Sequence, residues 1–99
     1  MSDRPDWARR DQAAFYRSLP LEFYEAGDEV ANGPIRVAGW YVDPYCSPMC
    51  CPPDGPFPGR QAAEGWCGAL ADALARGDDA AERALYEEAA ALPGALGRN

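Results

Sequence analysis

Between Asp43 and Gly59 the chain places Pro44, Pro48, Pro52, Pro53, Pro56 and Pro58. Proline fixes φ, removes a backbone donor and disfavours helix in the residue before it, so this stretch reads as neither helix nor central strand. We expect an irregular loop. In a chain of 99 residues such a loop is hard to hold in place, because a small domain buries little apolar surface. Three cysteines, Cys46, Cys50 and Cys51, sit in the same stretch, and Cys67 follows in the pattern C-x3-C-C-x15-C.

A tetrahedral zinc site needs four soft or borderline ligands, commonly a close pair in a turn with further ligands from a second element. Cys46 and Cys50 form the close pair of that layout. Cys67 lies near the start of an expected helix, whose positive end favours thiolate. Adjacent residues in extended chain face opposite ways, so Cys50 and Cys51 can share one ion only across a sharp turn. The fourth position therefore goes to Cys51, to Asp43 or Asp54, or to water. A structural zinc on Cys46, Cys50, Cys51 and Cys67 would join the loop to the helices and contribute its binding energy to folding. Reduced core cysteines, disulfides, and redox or iron–sulfur chemistry are the alternatives; the spacing matches neither familiar ferredoxin pattern.

The segment CCPPDGPFPG, Cys50 to Gly59, resembles a Cys-Cys-Pro-Pro-acid-Gly stretch of an actinobacterial family of unknown function. The resemblance covers about a tenth of the chain. It implies a GC-rich bacterial or phage source and carries over no site residue.

Elsewhere the pattern gives an α+β domain: an N-terminal helix, a short strand pair, the Cys/Pro-rich loop and a C-terminal αα-hairpin. Asp3 or Asp6 is placed to cap a first helix reaching about Ser18, with Trp7, Ala14, Phe15 and Leu19 near one face. Asn32-Gly33-Pro34 is a turn, after which Ile35 to Val42 has strand composition and pairs locally with the stretch from Leu21 to Val30. Arg60 to Arg76 reads as a helix with Ala63, Trp66, Cys67, Leu70 and Leu74 in one stripe. Gly77 suits its end, and Asp78 or Asp79 starts a further helix, with Glu82 completing a capping box from Asp79 and the helix running to about Leu92. The whole of 1–99 is one domain, with a tail from about residue 94 that frays.

The net charge of −7, with nine arginines and no lysine, argues against nucleic-acid binding. No apolar run is long enough to span a membrane. The opening MSDRPDWARRDQ has no apolar signal core, which gives a cytoplasmic expectation. There is no histidine, and serine is limited to Ser2, Ser18 and Ser47, so nucleophile–histidine catalysis is excluded and an enzyme is not expected. Two acidic groups stand out: Glu22, Glu25, Asp28 and Glu29, then Asp78, Asp79, Glu82, Glu87 and Glu88. The aromatic pairs Phe15-Tyr16, Phe23-Tyr24 and Trp40-Tyr41 can each turn one ring inward and one to the rim. Together these features point to a small accessory or regulatory protein that binds a basic protein partner. A subunit of a larger, phage-like assembly and a cysteine-based redox protein are the alternatives.

Overall fold

The computed structural model describes residues 4–96. In chain order they form α1 (Asp6–Arg17), β1 (Leu21–Tyr24), β2 (Glu29–Val30), β3 (Gly33–Pro34), β4 (Gly39–Val42), β5 (Asp54–Phe57), α2 (Arg60–Arg76) and α3 (Asp79–Ala90). This is the expected α+β arrangement of a first helix, a small antiparallel sheet and a closing pair of helices.

The helical hairpin follows its sequence signals closely. Helix α2 keeps the expected bounds, and Ala63, Trp66, Cys67, Leu70 and Leu74 are all buried. Gly77 caps it with φ +67. Asp78, not Asp79, is the N-cap of α3 and accepts from Ala81 N at 3.1 Å. Glu82 is thereby displaced from the capping-box position, and its carboxylate bonds Arg4 instead.

Helix α1 presents a different face from the expected one. Ala13 and Tyr16 are buried, whereas Trp7 is 67% exposed. Arg4, just before the helix, and Arg9 and Arg17 on it reach the closing helices: Arg4 to Glu82, Arg9 to Asp79 and Arg17 to Asp72. Pro5 occupies the N-cap position without a side-chain cap, so Asp6 lies in the first turn, and Asp3 falls outside the described residues.

The strand region divides further than its sequence suggests. The expected pairing of Leu21–Val30 with Ile35–Val42 becomes two ladders. Strands β2 and β3 make a small hairpin across Ala31 and Asn32, while β1 pairs with β4 in a three-stranded sheet of order β1-β4-β5. The third strand, β5, comes from the stretch read as irregular loop. Proline is tolerated there because β5 is an edge strand, and the missing N–H of Pro56 leaves no central ladder broken. The Gly55–Pro56 peptide is cis. At Gly55, φ is +143, and a Cβ would lie 2.8 Å from the Tyr41 ring and 2.9 Å from the Trp40 carbonyl oxygen. Only glycine fits that close approach of two strands.

Both faces of the sheet are covered. One carries the main core, where Val42 and Phe57 pack with Ala13, Tyr16, Trp66, Leu70 and Leu74. The other carries a smaller cluster of Val30, Ile35, Tyr41 and Leu96. Leu96 is 5% exposed, so the tail is docked as far as that residue; residues 97–99 lie outside the described ones.

Candidate metal centre

The cysteine turn is held at both ends by buried prolines. Pro44 precedes it, Pro52 and Pro53 follow it, and all three are buried, whereas Tyr45, Cys46, Met49 and Cys50 are exposed. Proline suits these hinge positions because it adds apolar surface and no donor that burial would leave unpaired. Hydrogen bonds fix the turn to the rest of the molecule. Asp43 N donates to Pro20 O at 2.9 Å, Ala31 N to Pro48 O at 2.8 Å, and Tyr45 N to the Tyr16 hydroxyl at 3.2 Å. The Tyr45 ring packs edge-on against Phe15, and its hydroxyl bonds Asp11.

Within the turn, Ser47 does most of the folding. Its carbonyl accepts from both Cys50 N and Cys51 N at 3.0 Å, and its hydroxyl accepts from Met49 N at 2.9 Å. The chain thus bends sharply before the Cys-Cys pair, and this removes the geometric objection to adjacent cysteines sharing a site. Cys46 Sγ and Cys51 Sγ are 3.1 Å apart, Cys51 Sγ and Cys50 Sγ 4.0 Å, and all three sulfurs lie within 4.8 Å of one another. Around a tetrahedral ion with bonds of about 2.3 Å, sulfurs are separated by roughly 3.8 Å. The three cysteines can therefore hold a metal ion after small side-chain adjustments.

Hydrogen bonding couples the thiols. The contact with Cys51 lowers the Cys46 thiol below its ordinary value, and the same contact pushes Cys51 up to about 11. A bound cation would override this division, since metal-ligating sulfur is deprotonated.

Cys67 does not join the group, and its expected role as the ligand that ties loop to helix is corrected here. Its side chain is fully buried within the α2 stripe. Burial, with the nearby Asp54 and Glu64 charges, pushes its thiol up to about 12. The physical reason is the helix itself: Cys67 follows Trp66 in the stripe that packs on the main core, and cysteine is small and apolar enough to stay there. Neither expected carboxylate completes the shell. Asp43 accepts the Tyr24 hydroxyl at 2.7 Å, Asp54 is buried, and neither belongs to the sulfur group. Among the described residues the centre therefore has three protein donors on one exposed turn.

A second feature lies beside the β1–β4 ladder. Phe23 and Trp40, cross-strand partners, meet edge-on with centroids 5.6 Å apart. With Val37, Pro56, Leu92 and Pro93 they line an apolar cleft of about 680 Å³. The Arg60 guanidinium lies 5.4 Å from the Trp40 ring centroid. Of the aromatic pairs only Phe23–Tyr24 turns one ring outward, Phe23 being 48% exposed; Phe15 and Trp40 pack against the main core, as Tyr16 does, and Tyr41 is buried on the other face. The two acidic groups differ in kind. Glu22, Glu25, Asp28 and Glu29 are exposed, whereas Asp78, Asp79 and Glu82 pair with Arg76, Arg9 and Arg4. No described helix is long and apolar enough to cross a membrane.

Comparison with protein-family models, with curated proteins and with solved structures gives no match.

Proposed function

We propose that this is a small metal-binding accessory protein of a reducing, cytoplasmic compartment, in which Cys46, Cys50 and Cys51 bind zinc and a separate face docks a protein partner. The observation that carries the reading is the convergence of three thiols on one exposed turn, in a geometry close to that of thiolates around one ion. Three protein ligands leave a position for water or for a donor from a partner, the arrangement of open rather than closed zinc sites. The protein's part is to supply three negative sulfurs and to hold them by the Ser47 bends and the buried prolines. Absence of histidine and of a nucleophile–base pair favours binding over catalysis.

The partner reading rests on two separate features: the exposed Glu22, Glu25, Asp28 and Glu29 of β1, its following turn and β2, and the apolar Phe23–Trp40 cleft. An aromatic anchor gives a partner a buried contact, and a run of same-sign charge gives it electrostatic guidance. A basic protein surface complements it.

The metal half is tested by titrating zinc into reduced protein while following proton release and thiol protection. One ion per chain, lost in Cys46→Ser and in Cys51→Ser but kept in Cys67→Ala, is the expected result. Equal loss in Cys67→Ala, or no uptake by the wild type, removes the reading. The partner half is tested by salt: association that weakens as the Debye length falls from about 10 Å at 0.1 M to 3 Å at 1 M supports it. Binding that is unaffected by Glu22→Lys with Glu25→Lys removes it.

A further inference from the structure

The contact between Cys46 Sγ and Cys51 Sγ, at 3.1 Å, is about 1 Å longer than a disulfide bond. Cys46 is exposed and Cys51 half-buried, so a small oxidant can reach the pair. The turn between them is already closed by the two hydrogen bonds on Ser47 O, and joining the sulfurs requires little further ordering. Cys46 and Cys50 also share the cluster, within 4.8 Å, but the 3.1 Å contact joins Cys46 to Cys51, and two other pairings are worse. A Cys50–Cys51 bond would close a small ring through their shared peptide and force that peptide from its planar trans geometry. Cys67 is enclosed in the core.

We infer that the turn is also an oxidative modification site, at which a hydroperoxide converts Cys46 and Cys51 to an intramolecular disulfide and leaves Cys50 as a free thiol. In the first step the Cys46 sulfur attacks one peroxide oxygen. The O–O bond breaks, Cys46 becomes a sulfenic acid, and the other oxygen leaves with the thiol proton as water or an alcohol. The Cys51 sulfur then attacks the Cys46 sulfur, the S–O bond breaks, and the hydroxyl departs with the Cys51 proton as water. Two thiols lose two electrons, and the hydroperoxide gains them. The disulfide removes two of the three sulfurs available to a cation, so the oxidised and metal-bound forms exclude each other. Only this last consequence rests on the metal reading; the disulfide stands on the sulfur geometry.

The experiment is to treat reduced, metal-free protein with a small excess of hydrogen peroxide, alkylate the remaining thiols and map the peptides by mass spectrometry. The expected product has lost ~2 Da as an internal Cys46–Cys51 crosslink. Cys50 alkylates in the native product and Cys67 only after unfolding. Cys50→Ser gives the same crosslink at a similar rate, and Cys51→Ser accumulates a sulfenic acid at Cys46 that dimedone traps. A dominant Cys46–Cys50, Cys50–Cys51 or intermolecular bond, or wild-type Cys46 passing to sulfinic acid without crosslinking, overturns the inference. In protein loaded with zinc, peroxide should release the ion in step with the crosslink, and retention of the ion in crosslinked protein overturns the exclusion. If reduced protein takes up no zinc, the metal reading alone fails, and the peptide map still decides the disulfide.

Discussion

Cys67 and Asp43, two residues that entered as candidate ligands, make opposite contributions to the folded state. Cys67 fills a place in the α2 stripe, and Cys67→Ala should cost about 1 kcal/mol, the scale of one buried methylene-sized group. Urea unfolding measures that cost, and metal uptake should be unchanged. Asp43 is a partly buried carboxyl whose pKa burial raises above its ordinary value, opposed by the hydrogen bond from Tyr24. The folded state therefore binds its proton more tightly than the unfolded chain does. The stability associated with that proton is fully present below the ordinary carboxylate pKa and is lost as pH rises through the raised folded value. Asp43→Asn, which cannot ionise, should thus gain stability relative to the wild type between pH 3 and pH 7. The gain is read from urea midpoints at the two pH values, and parallel curves for the two proteins would contradict it.

At the scale of elements, the arginines that reach the closing helices are unequal. Glu82 is largely buried, with 12% side-chain exposure, and Arg4→Met would leave its carboxylate without that partner in a place water barely reaches. The expected cost is about 1–3 kcal/mol. Arg17 and Asp72 are both more than half exposed, and Arg17→Met should change stability by no more than about 0.5 kcal/mol. Parallel urea titrations of the two variants check the ranking. These elements also show what a sequence can and cannot reveal. The α2–α3 hairpin was legible because Gly77 and Asp78 punctuate it locally and the apolar stripe repeats at helical spacing. The face of α1 was not, because its partners lie far along the chain, Arg9 and Arg4 meeting carboxylates some 70 residues away. Strand β5 was hidden by Pro56 and the prolines flanking it, which exclude a central strand but not an edge. In the candidate centre, the local cluster of Cys46, Cys50 and Cys51 was readable from spacing. The position of Cys67 was not, since spacing cannot tell a thiol that faces a core from one that faces an ion.

For the whole molecule, the location of the three candidate ligands within six residues changes what a bound metal should do to stability. An ion bridging loop and helix would bind the native state alone, and its removal would be severe. An ion held by a single turn can also be held by the unfolded chain, and binding to both states reduces the stabilisation. Chelation of zinc-loaded protein should therefore lower Tm by no more than about 4–8 °C, the shift of roughly 1 kcal/mol in a domain of this size. Differential scanning calorimetry with and without chelator measures it, and collapse of the fold on chelation would show that the ion reaches beyond the turn.

The order of elements along the chain has a further outcome for biosynthesis. Helix α1 makes its most extensive interface with α2, and its Arg9, and Arg4 just before the helix, find carboxylates on α3. A ribosome delivers those partners after α1 and the sheet. During translation α1 and the sheet emerge with Tyr16, Val42 and Phe57 lacking the helices that cover them, and the main core closes only after the 60–90 segment has left the exit tunnel. Folding is in this sense deferred rather than progressive, and a nascent chain halted after Gly59 would present unsheltered aromatic surface to chaperones and proteases.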